Sequence, residues 1–211
     1  MRDLSLKAVA AKLGVSAAAL YRHVDGRWGL ERVVGESLLA DLELVDDTGH
    51  DLEQHLVGFA SQLRHHVLAH PGLGAYMQVL FPRGSGGSAL LRQAQAALAR
   101  RGYESSAAIV LASAVASIAI NIAAGEEHAT SAAAQSGYAE EFDSSWLLVN
   151  DDPTLGPSHA QLPKMTPGQY FALLTTAAIG GLIAVAPAGR PVDDIIADLS
   201  RRSDLSTKKE T

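Results

Sequence analysis

The chain has 211 residues, 47% of them hydrophobic, and a formal net charge of −6. That length suits one large domain or a small domain joined to a larger one, and the apolar share is enough for a real core. Cysteine is absent, which excludes disulfides, zinc–thiolate sites and cysteine nucleophiles and fits a reducing cytoplasm. The opening "MRDLSLKAVAAKLG" has no uninterrupted apolar run after its charge and does not read as a signal peptide.

The charge is unevenly spread. Residues 1–35 hold Arg2, Lys7, Lys12, Arg22, Arg27 and Arg32 against Asp3, Asp25 and Glu31, a balance of +3, and the rest of the chain carries −9. A small basic head on an acidic body points to a polyanion meeting the head and not the body.

Helical signals dominate in chain order, and no segment alternates with period 2. Leu6, Val9, Ala10 and Leu13 predict a short helix from about Ser5, stopped at Gly14 by a left-handed cap. Ser16 caps a second short helix running to about His23. Val9, Leu13, Val15, Leu20 and Val24 are expected to lock this pair together. Ala17, Ala18, Tyr21, Arg22 and His23 are then left facing outward. A third helix starts near Gly26 and is expected to continue through Leu44.

From Asp51 to His70 an amphipathic helix places Leu52, Leu56, Phe59, Leu63 and Val67 on one stripe, and Pro71 ends it. "LGAYMQVLF" is a shorter apolar helix before Pro82. "RGSGGS", Arg83–Ser88, is expected to be a loop. It follows no strand and lacks the lysine of a phosphate-binding loop. "ALLRQAQAALARRG" is a helix whose basic last turn suits the helix dipole.

Two segments carry no charged residue, residues 105–125 over 21 positions and residues 165–189 over 25. Each is long enough to span a membrane. Their serines, threonines, Asn121, Gln169 and Gly180-Gly181, without flanking basic clusters or aromatic belts, favour buried helices of a soluble bundle. Between them the chain is mixed, and its Pro/Gly-rich second half reads as a long loop. Thr166-Pro167 is an N-cap with proline at the first helical position. Pro191 opens a final helix, "VDDIIADLSRR", and the polar end is expected to fray.

"AVAAKLGVSAAALYRHV" makes a helix-turn-helix pattern, two short helices joined by a glycine-containing turn. The second helix would enter a major groove, where residues near its N-terminus reach base edges. Tyr21, His23 and Arg27 are placed for phosphate contacts, which fix register rather than sequence. An ordinary helical hairpin with a polar face would show the same spacing.

"LSLKAVAAKLGVSAAALYRHVDGRWGLERVV" resembles the DNA-binding segment of the TetR family of transcriptional repressors. The likeness lies in "VAAKLGVS", in "LYRHV" and in Arg27 opening the next helix. "AHPGL", Ala69–Leu73, also resembles a stretch of the family's regulatory domains. The resemblance implies an all-α homodimer of TetR-like fold. Residues 1–46 would be a helix-turn-helix DNA-binding domain, and residues 47–211 a larger ligand-binding and dimerisation domain. It implies a double-stranded DNA operator, released when a small apolar or amphipathic effector binds the larger domain. Matching positions put Ser5, Lys7, Ser16, Ala17, Ala19, Tyr21, Arg22, His23 and Arg27 on the DNA face. Phe59, Leu63, His66, Tyr76, Met77, Phe81, Ile118 and Asn121 come from helices that surround the effector cavity in the family. The two uncharged helices would form a four-helix bundle across the dimer, in the cytoplasm and not in a membrane.

Two departures accompany the likeness. The recognition helix carries Ala17, Ala18 and Ala19, which can touch only thymine methyl groups, so direct readout falls to Arg22 with Lys7. The family's first helix has no counterpart here, and the head is expected to be loosely held and to bind DNA weakly. The alternative is a helical ligand-binding dimer of the same fold that has lost specific DNA binding. No enzyme motif, cofactor site or metal site is expected. His66 and His70 share a helix face, but no glutamate or cysteine completes a metal set, and no serine sits in a nucleophile elbow.

Overall fold

Ser5 and Gly14 bracket the first helix of the chain. The computed structural model describes residues 4–46, 48–136, 156–159, 161, 163 and 165–203, and all regular structure among them is helical. In α1 (Leu6–Leu13) the Ser5 hydroxyl accepts from the Ala8 amide at 3.1 Å, and Gly14 turns the chain out at a φ of 69°. Ser16 caps α2 (Ala17–Leu20) in the same way, accepting from the Ala19 amide. This second helix is a single turn, shorter than expected. The Arg22 and His23 amides bond only three residues back, to the Ala19 and Leu20 carbonyls. Gly26, at a φ of 62°, then redirects the chain into α3 (Gly26–Ala40).

The expected hydrophobic lock of the head is only partly made. Val9, Leu20 and Val24 are half-buried, but Leu13 is 63% exposed and Val15 46%. A one-turn α2 has too little surface to cover both ends of the stripe. Leu6, Ala10 and Leu30 form the buried centre instead. The third helix also stops earlier than expected, at Asp41. Beyond it the backbone is held by body side chains. The Leu44 amide donates to the Gln93 carboxamide, and Val45 exchanges two hydrogen bonds with Gln62. Those amides satisfy in extended form what a continued helix would have satisfied internally.

The body is built from α4 (Leu52–Ala69), α5 (Leu73–Leu80), α6 (Ser85–Ala99), α7 (Ser105–Ser136), the short α8 (Gly156–His159), α9 (Pro167–Val185) and α10 (Val192–Ser203). Capping boxes fix the starts of α4 (Asp51 with Gln54) and α9 (Thr166 with Gln169). The core is the face between α4 and α7. Leu56, Phe59, Leu63 and Val67 meet an alanine-rich strip of α7 that includes Leu111, Val115 and Ile120. Alanine at Ala108, Ala112, Ala116 and Ala119 lets the two axes approach closely. Arg64 of α4 clamps Glu126 of α7 with two hydrogen bonds and lies over the Phe171 ring of α9 at 5.2 Å.

α6 corrects a second expectation. Only Arg83 and Gly84 of "RGSGGS" remain outside the helix: Ser85, Gly86 and Gly87 form its first turn. Gly86 and Gly87 are buried, and a Cβ on Gly86 would sit 2.8 Å from the Glu36 carbonyl oxygen. Glycine is there because α3 crosses at backbone distance. α7 likewise runs past its uncharged stretch through Glu126 and Glu127 to Ser136. The rest of the expected long loop and the polar C-terminal end lie largely outside the described residues. Both α7 and α9 are long and apolar enough to cross a membrane by length and composition. Half of α7's apolar window is buried in this chain, against 17% for α9, which fully buries Phe171, Thr175 and Ile179 and packs Leu182 and Ile183 partly against the core.

Candidate nucleic-acid interface and effector cavities

The head presents basic and polar side chains alongside the exposed Leu13 and Val15. Lys7, Ser16, Ala17, Tyr21, Arg22, His23 and Arg27 are all exposed, as is Ser5, and Ala19 is half-covered. Ser5 and Ser16 use an oxygen lone pair to cap their helices, which leaves each hydroxyl proton available to donate to a phosphate. Arg27 has a partner that the spacing of the motif did not disclose: its Nε donates to Glu31 at 2.8 Å. Arg27 remains 61% exposed. An exposed i,i+4 pair is worth roughly 0.3–0.5 kcal/mol, less than a charge-assisted hydrogen bond to a phosphate at about 1.5–3 kcal/mol. The pairing therefore does not disqualify Arg27 as a phosphate ligand.

α3 carries the head and docks on the body through Glu36. Its carboxylate accepts from the Tyr76 hydroxyl at 2.9 Å, the Gly86 amide at 2.7 Å and the Ser85 hydroxyl at 3.3 Å. Gly84 has no side chain to cap α6, so a residue from the head-bearing helix caps it, with negative charge at the positive end of the dipole. A Cβ on Gly84 would collide with this carboxylate, and one on Gly35 would meet the Tyr76 ring at 2.5 Å. Burial and the Glu36 carboxylate push the Tyr76 hydroxyl up to about 12, so it donates at any ordinary pH.

Two cavities flank this contact. A cleft of about 580 Å³ lies between the first turn of α3 (Arg27, Trp28, Glu31) and the body residues Gly72, Ala75, Tyr76, Gln78, Asn121, Gly125, Glu127 and His128. A second, of about 520 Å³, lies against Arg32, Val33, Glu36, Leu80, Arg83 and Ser85, and Tyr76 lines both. A third, of about 250 Å³, is enclosed by the linker and α4 and α6 near Val45, Asp46, His55, Phe59 and Gln62. Beside it Asp46 accepts from Arg100 and Arg101 and meets His55 Nδ1 at 3.0 Å.

This arrangement of helices matches solved structures along nearly its whole length. Apo ActR from Streptomyces coelicolor superposes with a TM-score of 0.67 at 21% identity, covering 90% of each chain. The TetR family protein ActR in complex with actinorhodin gives 0.67 at 20% identity, over 88% of this chain and 90% of that one. TetR-Q116A from Acinetobacter baumannii AYE in complex with minocycline gives 0.60 at 16%, over 88% of each. The chain has the TetR-family fold. No family model and no curated protein sequence matches it.

Within the TetR-family fold the eight residues expected around an effector are not brought to one cavity. Tyr76 and Asn121 line the large cleft and Phe59 the small cavity. Leu63 and Met77 are fully buried in the core, Phe81 packs against it, and Ile118 is half-buried. His66 Nε2 lies 2.8 Å from the Leu38 carbonyl oxygen, tying α4 to α3. Three residues that matter at the junction were not singled out from the sequence. Trp28 and Glu36 read as ordinary members of an amphipathic helix, and Gly84 as part of a loop. The available signal was the pairing of Gly35 with "GSGG", glycines inside two helical patterns, which marks a close backbone approach.

Proposed function

We propose that this protein is a DNA-binding transcriptional regulator, a repressor, whose hold on its operator is changed by a small apolar or amphipathic molecule. The observation that carries this reading is the recognition turn. Ser16, Ala17 and Ala18 and then Tyr21, Arg22 and His23 stand exposed on a basic head, and the single helix α3 joins that head to a cavity-bearing body. The fold supports it, as do the complexes of ActR with actinorhodin and of TetR-Q116A with minocycline. Arg22 reads bases, while Ser5, Lys7, Ser16, Tyr21, His23 and Arg27 hold phosphates and Ala17 and Ala19 lie against thymine methyls. The protein acts in the cytoplasm as a homodimer, by binding rather than by catalysis.

The direct test is selection from a random duplex library with the full chain. Recovery of a short palindromic sequence, with half-sites about 34–36 Å apart, is the expected result. Recovery of unselected DNA, with salt-sensitive affinity and no consensus, would favour the second reading, a helical ligand-binding dimer without sequence-specific DNA binding. Ala17, Ala18 and Ala19 and the exposed Leu13 and Val15 are the observations that motivate that reading.

A further inference from the structure

We propose that the cleft between the first turn of α3 and the body binds a flat, uncharged aromatic molecule bearing hydroxyl or carbonyl groups, and that α3 passes its occupancy to the DNA face. This deepens the regulator reading and rests on it. The cleft's volume of about 580 Å³ falls in the range of small-molecule sites, roughly 300–1,000 Å³. So does the space of about 520 Å³ beside Arg32 and Arg83, whereas the space beside Phe59, at about 250 Å³, is below it.

The shape and chemistry of the cleft specify the ligand. Its floor is Gly72, Ala75, Ala124 and Gly125, none with a side chain beyond Cβ. A Cβ added at Gly125 would meet nothing within 4 Å, so there is open room at that position, while beside it Gly74 packs tightly on Ala124. The wall is aromatic. The Trp28 and Tyr76 rings stand 6.5 Å apart and are tilted by 46°, a setting that receives a planar ring system. At the rim Gln78 donates to Asn121 at 2.9 Å, and Asn121 donates to the Ser117 carbonyl. The Gln78 amide oxygen takes part in neither bond and can accept from a ligand hydroxyl.

Both carboxylates of the lining are matched within the protein, and His128 stands exposed beside them. Glu31 accepts from Arg27, and Glu127 accepts from the Gly72 amide at 2.7 Å. A ligand charge set against Glu31 or Glu127 would compete with these bonds, whereas an uncharged ligand displaces neither.

The cleft has one wall on the head-bearing helix and the others on α5 and α7, so whatever fills it bears on both. Tyr76 is the point of transfer. Its ring faces the cleft and lies against Gly35, and its hydroxyl holds Glu36, the cap of α6. Leu30 is buried one turn along α3, and α3 packs on α1, which in turn packs on α2. A ligand that shifts Trp28 or Tyr76 therefore shifts the recognition turn.

The test uses the full chain with Trp146→Phe, whose single remaining tryptophan is Trp28, and the planar uncharged carbonyl dye Nile red as probe. Binding should blue-shift the dye and quench Trp28. Gly125→Leu should fill the floor and weaken dye binding by about tenfold or more, with helical circular dichroism retained. Unchanged dye affinity in a folded Gly125→Leu variant would overturn the site. In the second arm, saturating dye should change affinity for the library-selected operator by about fivefold or more. Glu36→Ala, outside the cleft lining, should shrink that change while dye still binds. Dye bound in the cleft with operator affinity unmoved would overturn the coupling. A chain that selects no DNA sequence at all would remove the regulator reading and the coupling, while the dye titration still decides the site.

Discussion

Arg22 and Arg27 carry the same charge on the same face but are held differently. Arg22 is exposed at the end of the recognition turn, and Arg27 is tethered to Glu31. Arg22→Ala should cost roughly 1–3 kcal/mol of operator binding and relax sequence preference. Arg27→Ala should weaken all DNA alike and reduce the salt slope by about one. Operator titrations at several salt concentrations separate the two. A specificity ratio unmoved by Arg22→Ala would place the readout in DNA shape instead.

The buried histidines define a second property at this scale. Burial holds His55 below its ordinary value of 6.5, with the Arg101 charge adding to it. Burial and then His70 do the same for His66. The unfolded chain takes up these protons at about 6.5 while the folded one does not, so folded stability rises with pH across that window. It is fully present above 6.5 and is lost as the pH falls from there through the folded values. Burial raises Asp46, but the Arg100 and Arg101 hydrogen bonds outweigh it and hold the carboxyl below 3.8, so its contribution disappears only in stronger acid. The melting temperature should be flat above 6.5 and decline below it, less steeply in His55→Gln. A melting temperature that climbs on acidification would contradict this account.

At the scale of elements, the junction of α3 with α6 depends on glycine and on one carboxylate. A Cβ at Gly84 would meet the end of the Glu36 side chain, which can swing away. At Gly86 it would meet the α3 backbone, which cannot. Gly86→Ala should therefore be the more destabilising, by about 1–3 kcal/mol as for other overpacking changes, and Gly84→Ala should chiefly undo the Glu36 contacts. Glu36→Ala should cost about 1–3 kcal/mol, because it leaves the Tyr76 hydroxyl and the Gly86 amide without this acceptor. Denaturant unfolding of the three variants checks the order, and Gly86→Ala at parental stability would mean that α3 docks less closely.

The same junction shows why part of the fold was legible in the sequence and part was not. Helix starts were legible at Ser5, Ser16, Asp51 and Thr166 because a cap is a local event: the side chain bonds an amide three residues on. The start of α6 was not, because its cap comes from Glu36, 50 residues before Gly86, and by propensity "GSGG" favours a loop. The exposure of Leu13 and Val15 was illegible for a related reason. Periodicity shows which residues share a face, not how much surface the partner offers. The same limit applies to the cavities. The resemblance indicates which helices surround a cavity, and Phe59, Leu63 and Met77 lie on them, but a cavity is the space that packing leaves. It opens here where helices from two parts of the chain diverge.

For the whole molecule, the uncovered face of α9 is the feature that most needs a partner. Leu173 is 54% exposed and Leu174 37%, and Ile109 and Val110 of α7 stand at 39% and 42%. No charged residue interrupts either surface between residues 165 and 189 or 105 and 125. A second copy of the chain would cover these faces through an isologous contact, and two such helices from each copy form a four-helix bundle. The seam would run through Leu173 and Leu174, since Leu182 and Ile183 pack against the core of their own chain. Sedimentation at micromolar concentration should give about twice the 22.1 kDa chain mass. Leu173→Glu should shift the protein toward monomer, because dimerisation would bury a charge without a partner. It should also weaken operator binding while leaving nonspecific binding by the single head. Two heads held at a fixed separation are what a palindromic site requires, whereas phosphate attraction needs only one. A parent chain that sediments as a monomer would show that the apolar face of α9 is covered by something else.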